Sequence, residues 1–277
     1  MGCSLPRSKA GDIAVSAQSG MNCHVLAAAQ DSRVCNTDSK TYNDGRRQVI
    51  TEQVRFVHCT PDAERLIVKM ARVSNPSNDE NWDTGPRLLR YLIKHKHWSP
   101  FEMASLCVLI ETERDIAAQI LRHRSFSFQE FSTRYARTTV AECPAQRVQD
   151  PINRQSSHDS LTEDEKRRWD ERCARLIGDA YLLYEDMLSE GIAKETARRI
   201  LPLCTPTRLY MHGSLRSWLH FIDVRSDVGT QLEHRRVAEQ CRAIFTAQFP
   251  VIAEAAWRKL DAEPNYPAKP DSSTITL

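Results

Sequence analysis

From Ser125 the chain reads SFSFQEFSTR: serine or glutamine alternates with phenylalanine until Glu130 and Phe131 break the beat. A period of two suits an extended segment, whose successive side chains point to opposite faces. Ser125, Ser127 and Gln129 then share one side, while Phe126, Phe128 and Phe131 turn toward a core. Immediately before stand Arg122, His123 and Arg124; Ser132 and Arg134 follow. Any fold of this chain must therefore hold an aromatic-anchored edge that presents cations and hydroxyls together. Such an edge suits a phosphate-binding active site, a nucleic-acid patch or a solvated loop.

Charge distribution narrows the choice. The formal net charge is only +2, yet arginines recur at 122, 124, 134, 137, 198, 199, 208, 216 and 225, mostly beside polar or aromatic neighbours. Separate arginine groups suit small anions held by forked hydrogen bonds better than one long basic stripe would. With nine glycines and no glycine-rich loop, a phosphate must be held by side chains or helix ends. Nine cysteines without a CxxC pair fit neither a closed disulfide framework nor structural zinc, and read as reduced thiols in a cytoplasmic protein. His95 and His97 have no further ligand at a familiar spacing, so no metal is expected. No apolar run approaches the roughly 20 residues of a membrane span, and the first thirty residues lack the apolar core of a secretory signal. MGCSLP opens like a lipidation site, but Pro6 stands where myristoylation requires Ser or Thr.

Along the 277 residues, 1–47 are rich in Ser, Ala, Asp, Asn and Gln without periodicity and read as a flexible extension. Residues 262–277 read as an equally loose tail, which leaves 48–261 as the folded body. VRFVHCT predicts a strand, followed by a helix that Thr60 caps and Pro61 opens. A second helix is expected through RLLRYLIKHKH to Trp98, with Ser99 and Glu102 as a capping box. SLCVLIE is a strand, and RDIAAQILRHR a helix on which Gln119, Arg122 and His123 share one face. Thr162 and Glu165 form another capping box, opening a long helix that ends near Gly191. KETARRIL is a short helix, and LEHRRVAEQCRAIF a long one closed by Pro250. A few strands and several long helices make a mixed α/β domain.

Ser132 invites a reading as a nucleophile. Serine attack needs an oriented base, and the only nearby histidine, His123, is flanked by two permanent cations that oppose its protonation. Hydrogen bonding from hydroxyls and arginine forks to a phosphate fits better. Capping alone accounts for Ser99 and Glu102. His220 reads equally well as a helix-face histidine, Arg199 and Arg208 as solvated or interface charges, and Tyr135, Trp98 and Trp218 as packing.

RHRSFSFQEFSTR resembles the RHRxxSxxxxSxR signature of the flavin-dependent thymidylate synthases, the ThyX type, with Arg122, His123, Arg124, Ser127, Ser132 and Arg134 all in place. ARVS (71–74), HWSPFE (97–102), AAQILRHR, ARRILPL (197–203), GSLRSWLHF (213–221) and DVRSD (223–227) follow the family's order. The resemblance spans roughly residues 50–250. It implies an α+β domain with a small antiparallel-type sheet and several long helices, assembled as a homotetramer with shared active sites. The implied reaction is reductive methylation of dUMP to dTMP, with 5,10-methylenetetrahydrofolate as carbon donor, NADPH as reductant and FAD as hydride carrier. A nucleotide phosphate, a flavin diphosphate and a folate glutamate tail all need cationic partners, which accounts for the separate arginines.

Carried over by position, the resemblance puts Gln119, Arg122, Glu130, Ser132, Arg134, Arg198 and Arg225 on dUMP. Arg134 and Arg198 clamp its phosphate, and Arg225 polarises the uracil as the catalytic residue. A guanidinium does not act as a base at neutral pH, so that role is electrostatic. For FAD the matching positions are Ser74, Ser99, Arg122, His123, Arg124, Glu130, Ser214, Arg216 and His220, with His97 beside flavin and folate. Ser214 and His220 stand where many members carry asparagine. Gly229 stands where the family often has histidine, which makes for a looser loop. The rival reading is a nucleic-acid-binding module, with the arginines of 122–137 on phosphates and the phenylalanines stacking bases; against it stand the near-neutral charge and the inward-facing phenylalanines. The expected partners are thus small molecules and copies of the chain, with neither nucleic acid nor membrane.

Overall fold

A computed structural model describes residues 52–257; the expected extension and tail lie outside the described residues. Four antiparallel strands form the main sheet: β1 (Gln53–Cys59), β2 (Ser105–Glu113), β3 (Ser127–Glu130) and, numbered last along the chain, β6 (Pro206–Ser214). Their order is β1-β2-β6-β3. The sheet is half-wet, as antiparallel sheets commonly are. On β6, Thr207, Leu209, Met211 and Gly213 are buried, while Arg208 and Tyr210 alternate with them in solvent. The dry face receives α1 (Ala63–Ala71), α2 (Gly85–Lys94), α3 (Arg114–Ile120), α6 (Leu215–Arg225), α7 (Leu232–Gln248) and α8 (Pro250–Trp257).

The two central strands run straight into helices. β2 ends at Glu113 and α3 begins at Arg114; β6 ends at Ser214 and α6 begins at Leu215. Backbone bonds brace both junctions, Arg114 N–H to Thr205 O (3.1 Å) and Leu215 N–H to Ala104 O (2.9 Å). Trp218 on α6 is fully buried and donates its indole N–H to Leu106 O on β2 at 2.9 Å. It thus satisfies its one donor while filling the space between sheet and helix.

The long helix α4 (Glu163–Ser189) opens with the expected reciprocal box between Thr162 and Glu165. Gly191, at φ +86°, takes the left-handed conformation that follows many helix ends. A two-stranded ribbon, β4 (Val148–Gln149) with β5 (Ser157–His158), precedes α4, and the short α5 (Lys194–Ala197) follows it. No helix among the described residues is long and apolar enough to cross a membrane.

Several local expectations are corrected. Thr60 does not cap α1: its hydroxyl accepts Ser105 N–H at 2.9 Å, and the helix starts after Asp62, a left-handed residue without a side-chain cap bond. The second helix stops at Lys94, where Lys96 turns left-handed at φ +58°. Ser99–Glu102 is one 3-10 turn without a capping bond, because Glu102 is drawn to Arg216 instead. α3 ends at Ile120, so Arg122 and His123 lie in the turn beyond it, the first exposed and the second half-buried, rather than on one helix face. The last long helix does close before Pro250, and Pro250 opens a further helix, α8, that the sequence reading did not assign. β6 and α6, on which the whole architecture turns, carry no assignment from periodicity.

Candidate active site

The turn after α3 is packed from below. Gly213 on β6 allows the ring of Phe126 to lie where a Cβ would stand, 2.5 Å from the nearest ring carbon. His123 rests above, edge-on to Phe221 at 4.9 Å and Phe126 at 6.4 Å between centroids. Its Nε2 accepts a 2.8 Å hydrogen bond from Nε of Arg225, at the C-terminal end of α6. An acceptor nitrogen must be unprotonated, so His123 is neutral, with its proton on Nδ1. Burial foremost, then Arg225 and His220, hold its pKa down to about 4. The ring therefore orients the guanidinium without neutralising it.

Beside this pair, His234 of α7 is fully buried, its ring centroid 6.3 Å from that of His123. Its Nδ1 lies 3.3 Å from Gln119 Oε1. Burial, with Arg225 and His123 as further causes, presses its pKa down to about 3. Gln119 and Arg225, both expected on the nucleotide, thus meet in one layer with two neutral histidines.

A second group lies on the segment after β3. Ser132 is exposed, and its carbonyl accepts the N–H groups of Tyr135 (3.1 Å) and Ala136 (3.0 Å), closing a turn. Arg134 donates to Glu195 at 2.9 Å, and Arg198 to Thr133 at 3.3 Å. These two links tie the turn to α5, so Ser132, Arg134 and Arg198 flank one surface. Glu130 is fixed by the Thr207 hydroxyl at 2.9 Å, with Arg114 3.7 Å away.

The expected flavin residues do not form one group. Arg122 and Arg124 are exposed on the turn that holds His123. Ser214 caps α6 by accepting Ser217 N–H at 3.3 Å, and Arg216 donates to Glu102 at 2.8 Å. A hydrogen bond from Ser214, then the one from Arg216, lowers the Glu102 pKa. One turn further along α6, His220 is exposed. Ser74 lines a cleft of about 430 Å³ with Arg72, Asn75, Asn78, Thr84 and Tyr91. Tyr91 stacks obliquely on His95 at 4.3 Å and meets His97 edge-on at 5.8 Å, which brings Ser74 and His97 to the same aromatic cluster. Ser99 is exposed at the start of the 3-10 turn, and no hydrogen bond ties it to that cluster. A smaller cavity of about 320 Å³, between Pro61 and Trp82, touches none of these residues.

Four contributors escape the sequence reading. Arg72 is buried and donates to Asn78 O at 2.9 Å, to Thr84 Oγ1 at 2.7 Å and to Asn81 O, which shapes the wall of the cleft. Tyr91 carries the aromatic cluster. Gln231 accepts from Gln119 Nε2 at 2.7 Å, and His234 completes the layer. His234 carried a legible signal: with Val237, Ala238, Cys241 and Phe245 it forms the apolar stripe of α7, so a histidine occupies a core position. Gly229 does not loosen its loop, because Asp227 Oδ1 accepts its N–H at 2.8 Å and Arg235 donates to Val228 O at 3.3 Å. Phe126 is buried and Phe128 and Phe131 are half-buried, which leaves no aromatic row for stacked bases.

A mixed domain with a small antiparallel sheet, bearing grouped arginines beside two neutral histidines, defines the class. Residues 55–251 match the family model of the thymidylate synthase complementing proteins. A probable flavin-dependent thymidylate synthase of Paramecium bursaria Chlorella virus 1 is 50% identical over 194 residues, 70% of this chain and 90% of the relative. A flavin-dependent thymidylate synthase of Synechocystis is 51% identical over 192 residues, 69% of this chain and 88% of the relative. Among solved structures, a UMP/dUMP methylase PolB from Streptomyces cacaoi bound with 5-Br dUMP superposes with a TM-score of 0.67 at 28% identity, covering 74% of this chain and 93% of that one. The chain belongs to the flavin-dependent thymidylate synthase family and is an enzyme of that kind.

Proposed function

We propose that this enzyme methylates dUMP reductively to dTMP, taking its carbon from 5,10-methylenetetrahydrofolate and its electrons from NADPH. The observation that carries the reading is the 2.8 Å bond between Arg225 Nε and a neutral His123. It engages one edge of the guanidinium and leaves the fork of terminal nitrogens for a uracil ring, where their undiminished charge stabilises the negative charge that develops as N3–H ionises. The activation needs no cysteine nucleophile, in keeping with half-buried or buried thiols such as Cys143, Cys204 and Cys241, whose pKa values burial raises. Arg134 and Arg198 receive the phosphate, which takes the place of the Glu195 carboxylate on Arg134, while Ser132, Glu130, Gln119 and Arg122 complete the nucleotide contacts.

The residues present fit a flavin dinucleotide. Arg122 and Arg124 offer exposed forked donors suited to a diphosphate, Ser74, Ser99, Ser214 and Glu130 supply hydroxyl and carboxylate partners, and Arg216 and His220 line α6. FAD, when bound, supplies the hydride transfer. His97, beside Tyr91, serves the flavin and folate rings. We place the enzyme in the cytoplasm, where its free thiols persist. We read it as a homotetramer with shared sites; Trp169, Leu176 and Leu183 repeat every seven residues along α4 and are exposed, an apolar row suited to a second copy.

Tritium release from 5-tritiated dUMP tests the reaction. With 5,10-methylenetetrahydrofolate present, release should require both NADPH and FAD, and none with all three present sinks the reading. UMP run in parallel reports whether the ribose 2′-hydroxyl is tolerated. The purified protein should be yellow; a colourless one with salt-dependent DNA affinity favours the nucleic-acid rival.

A further inference from the structure

Glu233, on the first turn of α7, receives both terminal nitrogens of Arg147 at 2.6 and 2.9 Å. Its Oε2 also accepts from Gln231 Nε2 at 3.1 Å. An ionised carboxylate accepts only, so every donor beyond it is forced to point one way. Gln231 turns its amide nitrogen to Glu233 and its oxygen to Gln119, whose Nε2 donates to it at 2.7 Å. Gln119 must then aim its own oxygen at His234, and His234 must meet that oxygen with Nδ1–H. The chain ends at His234 Nε2, a fully buried lone pair that has no hydrogen-bond partner among the described residues.

We infer that His234 is a positioning residue: its Nδ1–H locks the Gln119 amide so that the remaining N–H of Gln119 faces the bound nucleotide, which must offer an acceptor oxygen there. The inference rests on the reading of Gln119 as a nucleotide contact. Without His234 the amide keeps its bond to Gln231 but loses the partner of its oxygen, so the side chain is held at one end only and its remaining N–H is no longer fixed on the ligand atom. Phe221, at 5.9 Å between centroids, and His123 bracket the imidazole and keep it from turning.

The test uses the full-length holoenzyme. H234L and H234F remove the donor, the second keeping a ring in the space, and H234N returns an N–H near the place of Nδ1. The first two should raise the KM for dUMP about tenfold, as expected for one hydrogen bond to a charged or strongly polar ligand. They should leave kcat within about twofold, H234N should restore KM, and H234L in a Q119A background should add nothing. If Q119A raises KM and a folded H234L or H234F does not, the inference is overturned while the nucleotide reading stands. If Q119A leaves KM unchanged, the reading of Gln119 falls and the inference with it. Nitrogen-15 spectra of the wild-type histidines decide the point even where the variants do not fold. A protonated Nδ1 and bare Nε2 on His234 at neutral pH are expected, and the opposite tautomer overturns the inference.

Discussion

Two arginine settings in this molecule differ in what holds them. Arg225 is partly buried and is oriented by a neutral imidazole, which leaves its charge undiminished. Arg134 lies largely in solvent and is held by a carboxylate, with side chains 65% and 57% exposed for Arg134 and Glu195. On the proposed reading the first arrangement is fixed in advance for a charge that appears during reaction. The second, on the same proposed reading, is an exchangeable pair, from which a phosphate displaces the glutamate at little cost because exposed ion pairs are weak.

The contrast breaks most visibly if Arg225→Ala retains turnover. We expect dTMP formation to fall about 10²- to 10³-fold, the usual loss for one preorganised charge-stabilising donor, with flavin absorbance of the purified protein unchanged. Next comes acidity. The folded state holds His123 near 4, below the ordinary histidine value of 6.5, so the unfolded chain takes up the proton first as pH falls. The contribution to stability is full above about 6.5 and is lost as pH drops through 4. Glu113, raised to about 7 by burial and then by Asp115, works in the opposite direction and masks the effect in the wild type. H123Q keeps an acceptor for Arg225 and removes the titration. Its stability relative to wild type in urea should therefore shift by about 2 kcal/mol between pH 7 and pH 5; a constant difference argues that His123 is not neutral.

Arg134→Lys should weaken dUMP binding roughly tenfold in equilibrium titrations, because a single ammonium does not reproduce a planar fork. An unchanged affinity removes Arg134 from the phosphate. The smallest effect is also the sharpest. Glu195→Gln should tighten dUMP by no more than about fivefold, the ceiling set by an exposed ion pair, and weaker binding shows that the glutamate assists the ligand instead of yielding to it.

Local information was readable wherever local partners decided the structure. β2 announced itself through a dense apolar run, and the Thr162 box formed because its two partners stand three residues apart. Thr60 and Glu102 have the right chemistry for caps but are claimed by Ser105, 45 residues away, and Arg216, 114 residues away. β6 alternates cleanly, yet Pro206 and Gly213 at its ends disfavour strands in isolation. Its pairing with β2, from Ser105–Ser214 to Glu113–Pro206, is what makes it one. In the site, the arginine-rich motif was legible because its residue types sit together in the chain. The chain of amides was not, since Gln119 meets Gln231 and His234 across 112 and 115 residues.

The absence of any linker at the ends of β2 and β6 makes the sheet a ruler for the site. Gln119 stands six residues past Glu113, and Arg225 eleven past Ser214. One residue added within β6 turns its inward side chains outward. One added within α6 rotates everything beyond it by about 100° and carries Arg225 away from His123. Between Pro206 and Arg225 the gene can therefore drift in composition but not in length. The ribbon before α4 carries no such count, and there insertions and deletions can accumulate.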